Sequence, residues 1–530
     1  MRVDVDMIVV GAGFAGLRTL HRMRGLGLTV RVLEAGADIG GVWNWNRYPG
    51  ARCDVASADY SYSFSPELDQ EWTWSERYAT QPEILRYIHH VADRFDLHRD
   101  IQLTTRVVSA RFDETASRWS VTTGAGETLT ATYLVMAVGC LSATRIPAIA
   151  GLDTFTGETV HTGDWPADGV DVAGKRVAVI GTGSSGIQTI PVLAEQATSL
   201  TVFQRTPNFS VPARNAPLSP QEQAEIKAGY PERRRALFHS ASGMSVPVFK
   251  ESALDATPEQ LRERYESQWG RVGFGFVLSY ADLLLDRRAN DTAADFIREK
   301  IRERVRNPEI ADALLPKDYP FGAKRPCVDS DYFETFNREN VRLVDVRQDP
   351  IQEVTPTGIR TANGHHAVDV LVFATGYDAM TGSLLRPDVR GRGGIALRER
   401  WSAGPQTYLG LAVAGFPNMF VIAGPGSPSV LTNVIVSIEQ HVDWLADLLS
   451  TVQERGATTV EAEPEAQRRW VEHVNEAAGR TLYPQANSWY LTPGPPGAPA
   501  AFMPYVGGVR GYRRLCDEVA STGYEGFAIR

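Results

Sequence analysis

A glycine-rich turn set between a short apolar run and a helical repeat occurs twice in this chain, and that repetition limits the fold more than any other feature. Met7-Ile8-Val9-Val10 leads into Gly11-Ala12-Gly13-Phe14-Ala15-Gly16 and then into Leu17, Leu20 and Met23 at helical spacing. A second apolar run, Thr29 to Leu33, ends in Glu34. The pattern returns at Arg176-Val177-Ala178-Val179-Ile180, Gly181-Thr182-Gly183-Ser184-Ser185-Gly186, a helical stretch, and Leu200 to Gln204 followed by Arg205. Each copy reads as a strand–turn–helix–strand unit able to begin its own parallel sheet.

In such a turn the glycines allow a tight bend, a close approach of the backbone to a pyrophosphate, and close helix–strand packing. The residue closing the second strand, about twenty positions after the first glycine, then selects the nucleotide. Glu34 accepts hydrogen bonds from ribose hydroxyls and repels a 2′-phosphate, which suits the adenosine of FAD or NAD. At the same offset the second unit carries Arg205 and the hydroxyl of Thr206, a pair suited to a 2′-phosphate. The first unit is therefore expected to hold FAD and the second NADPH/NADP.

Elsewhere the chain completes this frame. Arg111 to Val121 and Tyr133 to Ala137 read as a β-meander that returns to a buried strand. Pro147, Gly151 and Gly157 mark a connector. Residues 215–320 turn to helical spacing with mixed charge, as in Ile297 to Arg304, a solvated helix face. Strands resume at Val341–Asp345, Val368–Gly376 and Met419–Ala423, and the Pro- and Gly-dense stretch 484–500 reads as a loop carrying Trp489 and Tyr490. The fold class is thus α/β: two Rossmann-like dinucleotide-binding domains with a helical insertion in the NADP domain. Residues 1–143 and 377–530 form the FAD-binding domain, 144–214 and 321–376 the NADP-binding domain, and 215–320 the insertion.

Composition narrows the function. Over 530 residues, 54 Lys and Arg against 63 Asp and Glu leave a net charge of −9, which disfavours nucleic acid or an anionic membrane as partner. Four widely spaced cysteines, Cys53, Cys140, Cys327 and Cys516, offer neither a dithiol nor a metal site. The amino-terminal residues show no secretory pattern, and the longest apolar stretch, Val272 to Ala281, is too short to span a bilayer. A cytoplasmic protein, monomeric or weakly self-associating, is expected. With no cysteine pair to take electrons from a reduced flavin, the main remaining outlet is oxygen.

Two further stretches carry a resemblance. Phe155-Thr156-Gly157-Glu158-Thr159-Val160-His161-Thr162-Gly163-Asp164-Trp165-Pro166 is similar to the F-x-G-x-x-x-H-x-x-x-W-P fingerprint of type I Baeyer–Villiger monooxygenases, and it lies between the two glycine turns, as in that family. Gly40-Gly41-Val42-Trp43 through Arg52-Cys53-Asp54 resembles a second family motif, and Ala374-Thr375-Gly376 a late flavin-domain strand end. Phe203 to Pro207 and Gly424 to Ser429 resemble the branch containing phenylacetone and steroid monooxygenases.

The resemblance implies an NADPH- and oxygen-dependent enzyme that inserts one oxygen atom beside a ketone carbonyl through a C4a-peroxyflavin. It makes Arg325 the active-site arginine, also in reach of NADP, and Asp54 the aspartate that orients it beside FAD. Lys324 joins Arg205 and Thr206 around the 2′-phosphate, and Trp489 contacts NADP. Phe155, Gly157, His161, Trp165 and Pro166 serve domain movement rather than bond chemistry. Ser429, Val430, Leu431 and Val434 shape a pocket for a small apolar ketone. Gly41, Val42, Trp43, Tyr60 and Gly376 join the flavin set, and Gln188 the NADP set; no metal is expected.

Two rivals stay open at this point: a flavin-containing N- or S-oxygenating monooxygenase, and a non-catalytic NADP(H)-binding protein. One departure from the family is the run Thr492-Pro493-Gly494-Pro495-Pro496 after Leu491, where Gly-Ala-Asn is usual. Proline fixes φ and removes amide donors, so a stiffer loop with fewer backbone hydrogen bonds is expected.

Overall fold

A computed structural model describes residues 3–271, 273–492 and 500–530. Pro493, Gly494, Pro495 and Pro496, on which the stiffened-loop expectation rests, lie outside the described residues, as does Val272.

Both repeated units form as read. The first comprises β1 (Val5–Val10), α1 (Phe14–Arg24) and β2 (Val30–Leu33). The second comprises β3 (Arg176–Ile180), α2 (Ser184–Gln196) and β4 (Ser199–Gln204). β1 lies parallel between β2 and Thr128–Met136 in an eight-stranded sheet. The expected meander is there: Val107–Asp113, Arg118–Thr123 and Thr128–Met136 run antiparallel, and Met419–Val421 joins the last of them. β3 and β4 belong to a second sheet of five strands, all parallel, with Val341–Asp345 beyond β4 and Val370–Phe373 then Glu158–His161 beyond β3. Helix α2 covers one face of this sheet and the antiparallel strands Ile351–Thr355 and Gly358–Thr361 the other, which is why Val177 to Ile180 and Val370 to Phe373 are unbroken apolar runs, buried throughout.

The two turns are built alike. Gly11 (φ +103°) and Gly181 (φ +112°) occupy backbone conformations closed to other residues, and a Cβ on Gly11 would come 2.6 Å from the Ala137 carbonyl oxygen. A Cβ on Gly16 would overlap the Gly11 carbonyl, and one on Gly186 the Gly181 carbonyl. These third glycines hold helix against strand and take no part in lining a cavity.

The insertion is helical, with helices at Pro220–His239, Pro258–Gln268, Arg287–Arg304 and Pro308–Ala313. The solvated-face reading of Ile297 to Arg304 holds for exposed Glu299, Arg302 and Glu303, but not for Lys300, whose largely covered side chain pairs with Glu266 and Glu303. It fails for Arg304, whose guanidinium turns inward to Asp329 (2.7 Å) and Glu334 (2.6 Å). Burial opposes this charge, but the two carboxylates outweigh it and raise the arginine's pKa further. The loop expected over 484–500 also needs correction: Leu491–Thr492 pairs antiparallel with Ala501–Phe502 and ties its ends together.

Helix α3 (Val434–Glu454) crosses behind the first sheet. Its fully buried His441 accepts a hydrogen bond at Nδ1 from the Ala423 amide (3.0 Å), fixing the chain just past Met419–Val421. Burial pushes the His441 pKa down to about 3. On α1, burial and then Arg18, Arg24 and Arg22 push His21 down to about 4. Unfolded, both histidines titrate near 6.5, so the unfolded chain binds more protons on acidification. Stability should hold above about pH 6.5 and fall below it, by about 1.4 kcal/mol per pH unit for His441, with a smaller share from half-buried His21. Urea midpoints between pH 7 and 4.5 test this; a His441→Asn variant with an unchanged slope contradicts it. Among the described residues no helix is long and apolar enough to cross a membrane.

Candidate active site

Strand ends of both sheets open onto one cavity of about 1500 Å³. Open α/β sheets bind ligands at such ends, because helix N-termini converge there. Neither α1 nor α2 has a side-chain cap or an acidic residue in its first turn, so their leading amides are free to meet an anion.

At the first sheet the cavity wall includes Gly11, Gly13, Phe14, Ala15, Glu34, Gly41, Val42, Trp43, Asp54 and Tyr60, all expected in the flavin set. The backbones of Gly13 and Gly41 lie against one another: a Cβ on Gly41 (φ +56°) would come 3.0 Å from Gly13 Cα. Glu34 is buried, and its carboxylate accepts from the Ala12 and Gly36 amides, both at 2.7 Å. Trp43 Nε1 donates to the Tyr60 hydroxyl (3.2 Å), and Tyr60 also meets the Phe14 ring edge-on. Burial raises the Tyr60 pKa, so this hydroxyl stays protonated.

At the second sheet the wall includes Gly181, Thr182, Gly183, Ser184, Ser185, Gln188, Arg205, Thr206, Lys324 and also Gly376, expected in the flavin set but following a strand of this sheet; Trp489 reaches the cavity from the carboxy-terminal segment. Cβ atoms on Gly183 and on Gly376 (φ +78°) would meet nothing within 4 Å, so open space faces both backbones. Arg205 is exposed and Lys324 half-buried; among the described residues neither forms an ion pair. Burial and then the nearby charge of Arg205 lower the Lys324 pKa. Two cations sharing one corner with open space before them form an anion site. Long grooved walls, uncapped helix N-termini at each end and a cationic corner at one of them fit two dinucleotides.

Between the two ends stands Arg325. Its Nε (2.6 Å) and Nη2 (2.9 Å) donate to the two oxygens of Asp54, and Nη1 donates to the Val430 carbonyl (2.7 Å). Burial works against the guanidinium's charge, but the Asp54 carboxylate more than compensates and pushes the pKa above its usual value. Arg325 therefore carries a permanent positive charge in a fixed plane. Sequence reasoning misses two roles. The Phe274 ring lies 4.3 Å beneath this guanidinium, and no motif or spacing marks it; the Tyr48 hydroxyl, inside the Gly40–Asp54 stretch but assigned no role there, donates to Gln188 Oε1 (2.7 Å).

Not every expected residue reaches the cavity. Val430 and Val434 line it, whereas Ser429 is buried at φ +40° with its hydroxyl donating to the Ala423 carbonyl (3.1 Å), and Leu431 packs into the neighbouring apolar cluster. Phe155, Gly157, His161, Trp165 and Pro166 of the fingerprint also lie outside the wall, whereas Gly163 and Asp164 within that stretch line it. His161 Nδ1 accepts from the Gly163 amide (2.9 Å), and the Trp165 amide donates to the Trp45 carbonyl (3.2 Å), joining the edge of the second sheet to a segment of the first. Phe155 packs on Gly157, and the Pro166 carbonyl accepts from Gly169.

All four cysteines are free; Cys53, Cys140 and Cys327 line the cavity. Burial raises the pKa of each, that of Cys327 to about 12, so thiols rather than reactive thiolates face the cavity.

A family described as pyridine nucleotide-disulphide oxidoreductase matches residues 8–246. A Baeyer-Villiger monooxygenase of Pseudooceanicola batsensis is 44% identical, over 98% of this chain and 95% of its own length. A phenazine N-monooxygenase of Lysobacter antibioticus is 43% identical, over 100% of this chain and 97% of its own. Among solved structures, an oxidized steroid monooxygenase bound to NADP superposes with a TM-score of 0.95 at 54% identity, covering 99% of each chain. Identity at this level along the whole chain, around a cavity with two dinucleotide ends and a fixed arginine between them, leaves one assignment: the chain belongs to the Baeyer–Villiger monooxygenases.

Proposed function

We propose that this protein converts a ketone, NADPH, a proton and molecular oxygen into an ester or lactone, NADP⁺ and water. The observation that carries this reading is the Arg325 guanidinium, clamped by Asp54 between the two nucleotide ends of one cavity. Bound FAD supplies the acceptance of hydride from NADPH and the activation of oxygen.

The protein's own residues divide the remaining work. The Gly11–Gly16 turn and Glu34 hold the flavin nucleotide, while Gly41, Val42, Trp43, Tyr60 and Gly376 flank its reacting end. The Gly181–Gly186 turn, with Gln188 and Trp489, holds NADP, whose 2′-phosphate meets Arg205, Thr206 and Lys324. Asp54 and Val430 engage three of the five N–H donors of Arg325, leaving two for oxygen atoms in the cavity. There the fixed charge stabilises negative oxygen, including that developing on the ketone carbonyl, without solvent having to reorganise. Val430 and Val434 give that end an aliphatic wall, which favours an apolar ketone over a charged one. Trp165, through the Trp45 carbonyl, links the two nucleotide-binding parts, and His161 holds the turn that carries it.

The sheets support the proposed domain boundaries. The first sheet draws its strands from 5–136 and 388–421, the second from 158–373, and the four insertion helices span 220–313.

A steady-state assay decides: ketone-stimulated NADPH oxidation with one ester formed per NADPH supports the proposal. A second reading, oxygenation of a heteroaromatic nitrogen, is favoured by the phenazine N-monooxygenase relative, and stimulation by such amines alone would select it.

Asp54 should act through Arg325. Asp54→Asn keeps an oxygen acceptor but removes the countercharge, so ester formation is expected to fall about tenfold to a hundredfold. Flavin content should change little. Wild-type ester formation in that variant would show that the aspartate does not orient the arginine.

A further inference from the structure

The helical insertion contributes a residue to the wall behind Arg325, and the nucleotide-binding reading gives it no role. Phe274 lies in the short helical turn Gly273–Leu278, and its ring centre is 4.3 Å from the Arg325 guanidinium carbon. Asp54 holds one edge of the guanidinium and the Val430 carbonyl one nitrogen, so hydrogen bonds restrain it within its plane. They do little to stop it tilting out of that plane. An aromatic face supplies the missing restraint, because its negative π-cloud attracts the cation and its breadth keeps water away.

The ring is itself tightly placed. Glycines flank Phe274: a Cβ on Gly273 (φ +49°) would come 2.6 Å from the Tyr78 hydroxyl, and one on Gly275 2.8 Å from Val246 Cγ1. The backbone is thus pressed against the flavin-binding part on one side and the insertion on the other. Phe276, two residues on, anchors the turn among Trp269, Phe296 and Phe321. From the insertion helix Arg287–Arg304, fully buried Asn290 donates to the Phe321 carbonyl (2.7 Å) and accepts from the Phe321 amide (2.8 Å). Phe321 stands four residues before Arg325, so the insertion grips the chain leading to the arginine as well as the face beneath it.

We propose that Phe274 is a positioning residue for Arg325, and that the helical insertion thereby takes part in coupling NADPH oxidation to oxygen transfer. This rests on the role given to Arg325 above. Losing the aromatic face should let the guanidinium tilt and admit water, so more NADPH is spent on hydrogen peroxide and less on ester.

The test compares Phe274→Leu with the wild-type holoenzyme, using a ketone that the wild type converts. Anaerobic flavin reduction by NADPH and flavin content should be unchanged. Ester formed per NADPH should fall roughly three- to thirtyfold, with hydrogen peroxide rising in its place. In an Arg325→Ala background the same substitution should cause no further loss, since its effect passes through the arginine. Pentafluorophenylalanine at 274 keeps the shape while removing the negative ring face, so it should also lower coupling even if the leucine variant loses its flavin. Coupling that stays at the wild-type level in the fluorinated protein, or losses that add in full to those of Arg325→Ala, overturn the proposal. A wild-type protein that oxidises no ketone would instead refute the reading of the active site itself.

Discussion

Replacing Arg325 with alanine should leave reduction of the bound flavin by NADPH intact and lower ester formation by about a thousandfold or more. The first half follows because hydride transfer depends on how the two nucleotides are held, and the glycine turns, Glu34 and the Arg205–Lys324 corner are untouched. The second half follows because the substitution removes the permanent charge in the centre of the cavity. Its partner Asp54 then remains as an uncompensated carboxylate, and negative oxygen developing nearby meets repulsion where it had met attraction. Arg325→Lys should recover little, because an ammonium cannot hold both Asp54 oxygens and the Val430 carbonyl in one plane. Rapid-mixing measurement of flavin reduction, with chromatographic measurement of ester, separates the two halves. Ester at the wild-type rate from the alanine variant would remove Arg325 from the mechanism.

Arg205→Ala should lower kcat/KM for NADPH about a hundredfold while leaving that for NADH nearly unchanged. A charge-assisted hydrogen bond contributes about 1.5–3 kcal/mol, and a guanidinium can make two to one phosphate. The local electrostatics enlarge the effect. With no anion bound, Arg205 and Lys324 repel each other, which is one reason the lysine's pKa lies below its ordinary value. A 2′-phosphate relieves that repulsion as well as pairing with each cation. Removing Arg205 takes away that repulsion, although burial still lowers the lysine's pKa, and Lys324 alone keeps some preference for NADPH. Steady-state kinetics with both coenzymes, repeated at raised ionic strength to screen this exposed site, measures the discrimination. An equal fall for NADH and NADPH would show that Arg205 supports the fold and does not read the phosphate.

Much of this protein is legible in its amino-acid sequence wherever the deciding contacts are local. Each glycine turn is written within six positions, and part of the steric reason for its glycines lies there: a left-handed φ at Gly11 and Gly181, and contact with their carbonyls at Gly16 and Gly186. Glu34 and Arg205 follow because the end of the second strand always lies beside the turn. The charged helix Arg287–Arg304 is legible as a helix but not in full as a surface: the spacing that places Glu299 and Glu303 in solvent gives no warning that Arg304 meets Asp329 and Glu334 across the chain.

Ser429 marks the same boundary at a single residue. Its neighbours suggest a pocket-lining loop, and the loop does reach the cavity, but a backbone turn at φ +40° puts the serine inside and presents Val430. The paired strands at Leu491–Thr492 and Ala501–Phe502 are hidden for a related reason, since two-residue strands leave no periodicity to detect.

Sequence alone determined the two strand–turn–helix units and the residues proposed to select a nucleotide at each, because those features rest on contacts between near neighbours. The tertiary structure alone decided how the chemistry is assembled. Asp54 and Arg325 stand 271 residues apart, and Phe274 comes from an inserted helical region; nothing local brings the three together. Their meeting depends on how two sheets and an insertion dock, and docking is settled by shape and burial summed over many distant residues rather than by any spacing along the chain.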